Sequence, residues 1–132
     1  MSDTRTPPTD SDPFWQGLDE WEVRLPVCRA CGAAHLPPGP VCPYCLSDDL
    51  DWRRASGKAT LSTWVVERKK WFAALDPPYI VGEVELEEGP RMPVWIPIQD
   101  LPHLRIDRPG SIDVARAPNG RNLPHFHIAA DG

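Results

Sequence analysis

All four cysteines of the chain lie between positions 28 and 45, in the string CRACGAAHLPPGPVCPYC. Two C-x-x-C pairs, Cys28 with Cys31 and Cys42 with Cys45, are separated by ten residues. A C-x-x-C turn aims two sulfurs at one point, and nearby backbone N–H groups support their negative charge. Two such turns complete a tetrahedral thiolate site of the kind that holds zinc. No cysteine is left over, and in a reducing compartment disulfides are a poor alternative. Four thiolates leave no vertex for water or substrate, so the expected metal is structural. Iron is the rival occupant, since paired C-x-x-C turns also hold the single iron of small electron carriers. His35, inside the spacer, is expected on the surface because the cysteines already fill the site.

The remaining chemistry-bearing residues form weaker patterns. His125 and His127, at i and i+2, would face one side of a strand, yet no third ligand lies near them in sequence, and a surface pair is expected. Glu83 and Glu85 mark the wet face of a strand, and Glu87 and Glu88 a turn, so paired-carboxylate catalysis is not expected. No Ser-His-Asp order, phosphate-cradling glycine loop or dinucleotide fingerprint is present. The chain alone is not expected to be an enzyme.

The elements that must position these groups are short. Seventeen prolines in 132 residues, against a usual share of about 5%, disfavour long helices and a wide regular sheet. Residues 1–12 carry too little apolar surface to offset ordering entropy and are expected to be flexible. Asp12 can cap a helix whose first position is Pro13, with Phe14, Leu18 and Trp21 sharing one face. Lys58–Val66 and Tyr79–Leu86 read as strands. In Met92–Ile98, Pro93 and Pro97 cannot donate ladder hydrogen bonds, which predicts an edge strand or extended loop. Ser111–Arg116 and Leu123–Ile128 read as a hairpin around Asn119-Gly120. Five short strands predict a small barrel. The division is therefore a flexible N-terminus (1–12), a helix and connection (13–27), a metal ribbon (28–50) and a barrel domain (51–132).

Composition excludes several roles. Fourteen Lys and Arg against nineteen Asp and Glu leave a net charge of −5, which argues against a dedicated nucleic-acid binder. No apolar run approaches the roughly 18–20 residues that span a bilayer, and the N-terminus has no apolar signal core. A cytoplasmic protein is expected.

Taken together, FWQGLDEWEVRLPVCRACG (14–32), PPGPVCPYC (37–45), ASGKATLSTWVV (55–66), PPYIVGEVELEEGPRM (77–92) and LPHF (123–126) resemble a known family. These are the two-part proteins with an N-terminal rubredoxin-like zinc ribbon and a C-terminal OB-fold that accompany thiolase-type acyl-CoA enzymes, formerly domain-of-unknown-function family thirty-five. The resemblance implies a mainly β fold: a helix, a zinc ribbon and a five-stranded OB-fold barrel. It implies a non-catalytic accessory subunit that joins a thiolase-fold partner in a hetero-oligomer and helps to hold or channel an acyl-CoA. Relatives serve in thiolase, acyltransferase and retro-aldolase complexes. Pro93, Pro97 and the Arg108-Pro109-Gly110 run depart from the family's smoother third and fourth strands.

Residue readings compatible with that role are a basic excess and two aromatic groups. Arg53, Arg54, Lys58, Arg68, Lys69 and Lys70, opposed only by Glu67, would meet the phosphates of a coenzyme A thioester. Phe14, Trp15, Leu18 and Trp21, and Trp71 and Phe72 in the apolar run 71–75, are candidates for a partner interface. Two alternatives stay open: a single-strand nucleic-acid module using Trp52, Trp64 and Tyr79 as a stacking platform, and a rubredoxin-like iron carrier.

Overall fold

A computed structural model describes residues 12–69, 77–116, 120 and 122–128. Residues 1–11 of the N-terminus expected to be flexible, Lys70, the 71–75 run with Trp71 and Phe72, and Asn119 fall outside the described residues, whereas Asp12 lies in the first helix.

The chain opens with a short helix, α1 (Asp12–Asp19). It begins where Asp12 and Pro13 predict, but it stops before Trp21. The Glu20 and Glu22 N–H groups both turn back to the Gly17 carbonyl, and Trp21 takes a left-handed φ of 64°. Trp21 therefore leaves the helical face expected for it. Gly17 is part of this stop: a Cβ there would lie 3.0 Å from both the Arg24 side chain and the Glu22 carbonyl. β1 (Arg24–Cys28) then pairs antiparallel with β2 (Leu50–Arg54), Leu25 opposite Arg53. Neither strand is named by periodicity, because each is five residues long and β1 carries Pro26.

The second unit is a closed barrel of β3 (Lys58–Glu67), β4 (Tyr79–Leu86), β5 (Arg91–Ile96), β6 (Pro109–Arg116) and β7 (Asn122–Ile128). The strands run β3-β4-β5-β7-β6 around it, and β6 returns to β3. Alternation sets the interior: Leu61, Ile80, Val84, Ile96 and Phe126 are fully buried and fill one core with Met92, Val94, Ile112 and Val114.

Closure corrects two expectations. β5 is neither an edge nor a loop. Its lost Pro93 donor is tolerated because β5 meets its second neighbour, β7, in parallel at a single register position, Trp95 with His125. Pro97 follows the strand's end and precedes a 3-10 helix, Ile98–His103. Pro109 and Gly110 do not disturb the fourth barrel strand; they begin it. A Cβ at Gly110 would sit 2.3 Å from the His127 carbonyl and 2.6 Å from the Phe126 ring, so only glycine lets β6 approach β7 this closely. The expected hairpin is present, Asp113 opposite His125.

Candidate metal centre and binding surfaces

The two C-x-x-C segments fold into matching knuckles. In the first, the Gly32 N–H donates to the Cys28 carbonyl at 2.8 Å; in the second, the Leu46 N–H donates to the Cys42 carbonyl at 2.8 Å. Each turn ends on a left-handed residue, Gly32 at φ 81° and Leu46 at φ 66°. The knuckles face one another. Cys28 Sγ lies 3.6 Å from Cys45 Sγ, and Cys31 Sγ lies 3.7 Å from Cys42 Sγ; all four sulfurs fall within 4.8 Å of one another. Zinc–sulfur bonds of about 2.3 Å in a tetrahedron place sulfurs about 3.8 Å apart, so the cluster has the size of a zinc site.

Its protonation points the same way. The Cys31 N–H donates to Cys28 Sγ and the Tyr44 N–H to Cys42 Sγ, each at 3.4 Å. The backbone N–H of Cys31 is foremost in holding Cys28 down at about 7. Burial pushes Cys42 up, but the Cys45 and Tyr44 N–H groups bring it below the ordinary thiol value. The Ala33 and Ser47 N–H groups favour thiolates at Cys31 and Cys45, yet burial and the neighbouring sulfurs push Cys31 up and Cys45 to about 12. Four thiolates cannot share this volume without a cation, and a divalent ion supplies the missing charge. The cysteines would hold such an ion as a structural staple, with no vertex left for substrate.

His35 is not on the surface. It is 3% exposed, and neither ring nitrogen has a hydrogen-bond partner among the described residues. Its backbone N–H donates to the Pro26 carbonyl at 3.2 Å, and the Val27–Ala34 bridge pulls the spacer back onto β1. Burial pushes its imidazole below the ordinary value.

The five described residues of the basic set do not form one patch. Arg53 and Arg54 end β2 and Lys58 starts β3, whereas Arg68 and Lys69 follow the other end of β3. Ten residues of strand separate the two groups by roughly 30 Å. Arg53 is also engaged by Asp51 at 3.1 Å, and Lys58 by Glu87 at 3.8 Å.

Of the aromatic set, Trp15 and Trp21 are half exposed. Phe14 stands edge-on to Trp15, ring centres 5.4 Å apart, and the Arg116 guanidinium lies 5.8 Å from the centre of the Trp21 ring. Leu18, expected beside them, is 1% exposed and belongs to the protein's own core. Phe14 and Trp15 border an apolar groove of about 550 Å³ that also takes in Pro37, Val94, Trp95 and Leu123. Sequence reasoning missed this groove, since its walls come from α1, the ribbon spacer and three barrel strands. The nucleic-acid platform is not assembled: Tyr79 is buried and Trp64 packs against the barrel core.

A pair of cysteine knuckles fused to a closed five-stranded barrel in this strand order defines a class, a zinc ribbon joined to an OB-fold. Family signatures place the chain within it. Residues 15–51 match the family described as ChsH2, rubredoxin-like zinc ribbon domain, and residues 52–109 match ChsH2, C-terminal OB-fold domain. The chain belongs to this ChsH2 (DUF35) family.

Among its relatives is a probable enoyl-CoA hydratase alpha subunit of Thermomonospora curvata, 33% identical over 117 residues, covering 88% of this chain and 37% of that protein. A DUF35 domain-containing scaffold protein of Pyrococcus furiosus is 35% identical over 81 residues, covering 58% of this chain and 57% of that one. The chain thus spans well under two thirds of either relative. Among solved structures, a chain of the Ltp2-ChsH2(DUF35) aldolase superposes with a TM-score of 0.82 at 28% identity, covering 96% of this chain and 99% of that one. A DUF35-family protein of Sulfolobus solfataricus shares the fold alone, with a TM-score of 0.58 at 12% identity over 78% of this chain and 76% of that one.

Proposed function

We propose that the chain is a non-catalytic accessory subunit of a thiolase-fold acyl-CoA enzyme, stabilising its partner and helping to bind or channel the acyl-CoA. The observation that carries this reading is the end-to-end likeness to the chain from the Ltp2-ChsH2(DUF35) aldolase. A structural metal in a closed thiolate site and an apolar groove of ligand size suit a subunit that lends surface more than bond-making. Trp15 and Trp21, with Trp71 and Phe72, are the partner-facing aromatics in this reading. Arg53, Arg54 and Lys58 at one end of β3, or Arg68 and Lys69 at the other with Lys70 next in sequence, are the cations that would meet coenzyme A phosphates in this reading. Likeness to the hydratase alpha subunit supports a second reading, in which the partner is a hydratase-type chain acting on the same class of thioester.

Co-expression with thiolase-fold and hydratase-type candidates, followed by size-exclusion chromatography and assay against acyl-CoA thioesters, tests both readings. Activity is expected only in the heteromeric complex. Turnover by the isolated chain, or failure to associate with every candidate, would overturn the proposal. Within a complex, Trp15→Asp or Trp71→Asp should weaken association at least tenfold, as loss of an aromatic anchor does, while the bound zinc is retained.

A further inference from the structure

The barrel carries a second cluster of metal-ligating side chains, made by the β6–β7 hairpin. Asp113 is registered opposite His125, and His127 follows two residues on, so all three project to one side. The alternate residues Ile112, Val114 and Phe126 fill the interior, which puts the three polar groups on the outer face. His127 Nε2 lies 2.7 Å from Asp113 Oδ2 and 3.0 Å from His125 Nδ1, and His125 Nδ1 lies 3.4 Å from Asp113 Oδ1.

Protons alone satisfy this arrangement poorly. An imidazole nitrogen has a single in-plane direction for its proton or lone pair, yet His127 Nε2 lies within hydrogen-bond reach of both Asp113 Oδ2 and His125 Nδ1, and that one direction serves only one of them well. A cation at the centre takes lone pairs from both nitrogens and the carboxylate together. With bonds of about 2.0–2.1 Å, donors lie about 3.3 Å apart around a tetrahedral ion and about 2.9 Å around an octahedral one; the 3.0 Å between the two nitrogens, and the 2.7 Å and 3.4 Å from them to the two oxygens of the one carboxylate, straddle those values. Two imidazoles and a carboxylate suit zinc and its transition-metal neighbours.

We infer that Asp113, His125 and His127 form a second divalent-metal site with a vertex open to water or a small anionic ligand. The His125 side chain is 10% exposed, and its ring lies 5.5 Å from that of Trp95, which fixes one ligand in place. The Asp113 and His127 side chains are 53% and 52% exposed, so the open vertex faces solvent. This site does not depend on the accessory-subunit reading.

The test uses untagged, full-length protein whose ribbon is already zinc-loaded. Equilibrium dialysis against zinc, with metal content read by mass spectrometry, is expected to show a second equivalent per chain. The same titration with cobalt(II) should add weak nitrogen- and oxygen-ligand bands without new sulfur charge-transfer absorption. His127→Gln and Asp113→Asn, both at exposed side chains, should each weaken the second equivalent at least about tenfold and leave the cysteine-bound metal and the circular dichroism unchanged. Stoichiometry that stays at the ribbon's own metal, or a second equivalent that both variants retain, overturns the inference.

Discussion

His35 is the residue whose environment departs furthest from its sequence context. Solvent exclusion leaves its imidazole neutral when folded, whereas the unfolded chain takes up that proton near pH 6.5. Below that value the unfolded state binds more protons, so stability falls with pH by up to about 1.4 kcal/mol per pH unit until the folded imidazole also titrates. Urea melts of the zinc-saturated protein should show this loss, and His35→Leu should flatten the slope whatever it does at neutral pH. Leu46 offers a second residue-scale test. It is largely exposed and holds a left-handed φ of 66° at the position where the first knuckle uses Gly32. Leu46→Gly should stabilise the protein by about 1 kcal/mol by relieving that conformation, and an unchanged or lowered denaturation midpoint would count against it.

At the scale of elements, backbone approach between β6 and β7 sets both the barrel's closure and the Asp113–His125 register. Gly110→Ala places a methyl against the His127 carbonyl and the Phe126 ring, and about 1–3 kcal/mol of destabilisation is expected. Gly39→Ala, with nothing within 4 Å of the new Cβ, should stay within about 0.5 kcal/mol of the parent. Thermal melts of the two variants side by side make the comparison. The separation of Lys58 from Arg68 also belongs to this scale. A charge run continuous in sequence becomes two remote groups once ten residues of strand extend between them, and coenzyme A phosphates could engage only one end.

At the scale of the molecule, ribbon and barrel are mechanically joined. Leu18, Val23 and Leu25 share the core of Leu61, Ile80 and Phe126. The Asn122 side chain donates to the Leu18 carbonyl at 2.9 Å, and the Ala55 N–H to the Val23 carbonyl at 2.8 Å. Binding of a structural zinc contributes on the order of 10 kcal/mol in small metal domains, and a shared core transmits its loss. Chelation, or Cys28→Ser or Cys42→Ser, should therefore lower the melting temperature of the barrel as well as the ribbon. Two independent transitions by calorimetry, with the barrel's unchanged, would contradict that coupling.

The amino-acid order alone determined the cysteine knuckles, the barrel class and four of its strands, because thiolate spacing and period-two alternation are local properties of the chain. It misjudged β5, since whether a proline's missing donor matters depends on which neighbour that face meets. It read His125 and His127 as a pair without a third ligand, because Asp113 is twelve residues away and arrives only through cross-strand register. Leu18 and Trp21 parted company for the same kind of reason: a helix stop decided by Gly17 packing turned one inward and the other out. Burial, register and the apolar groove depend on contacts between segments distant in sequence, and only the folded chain makes them.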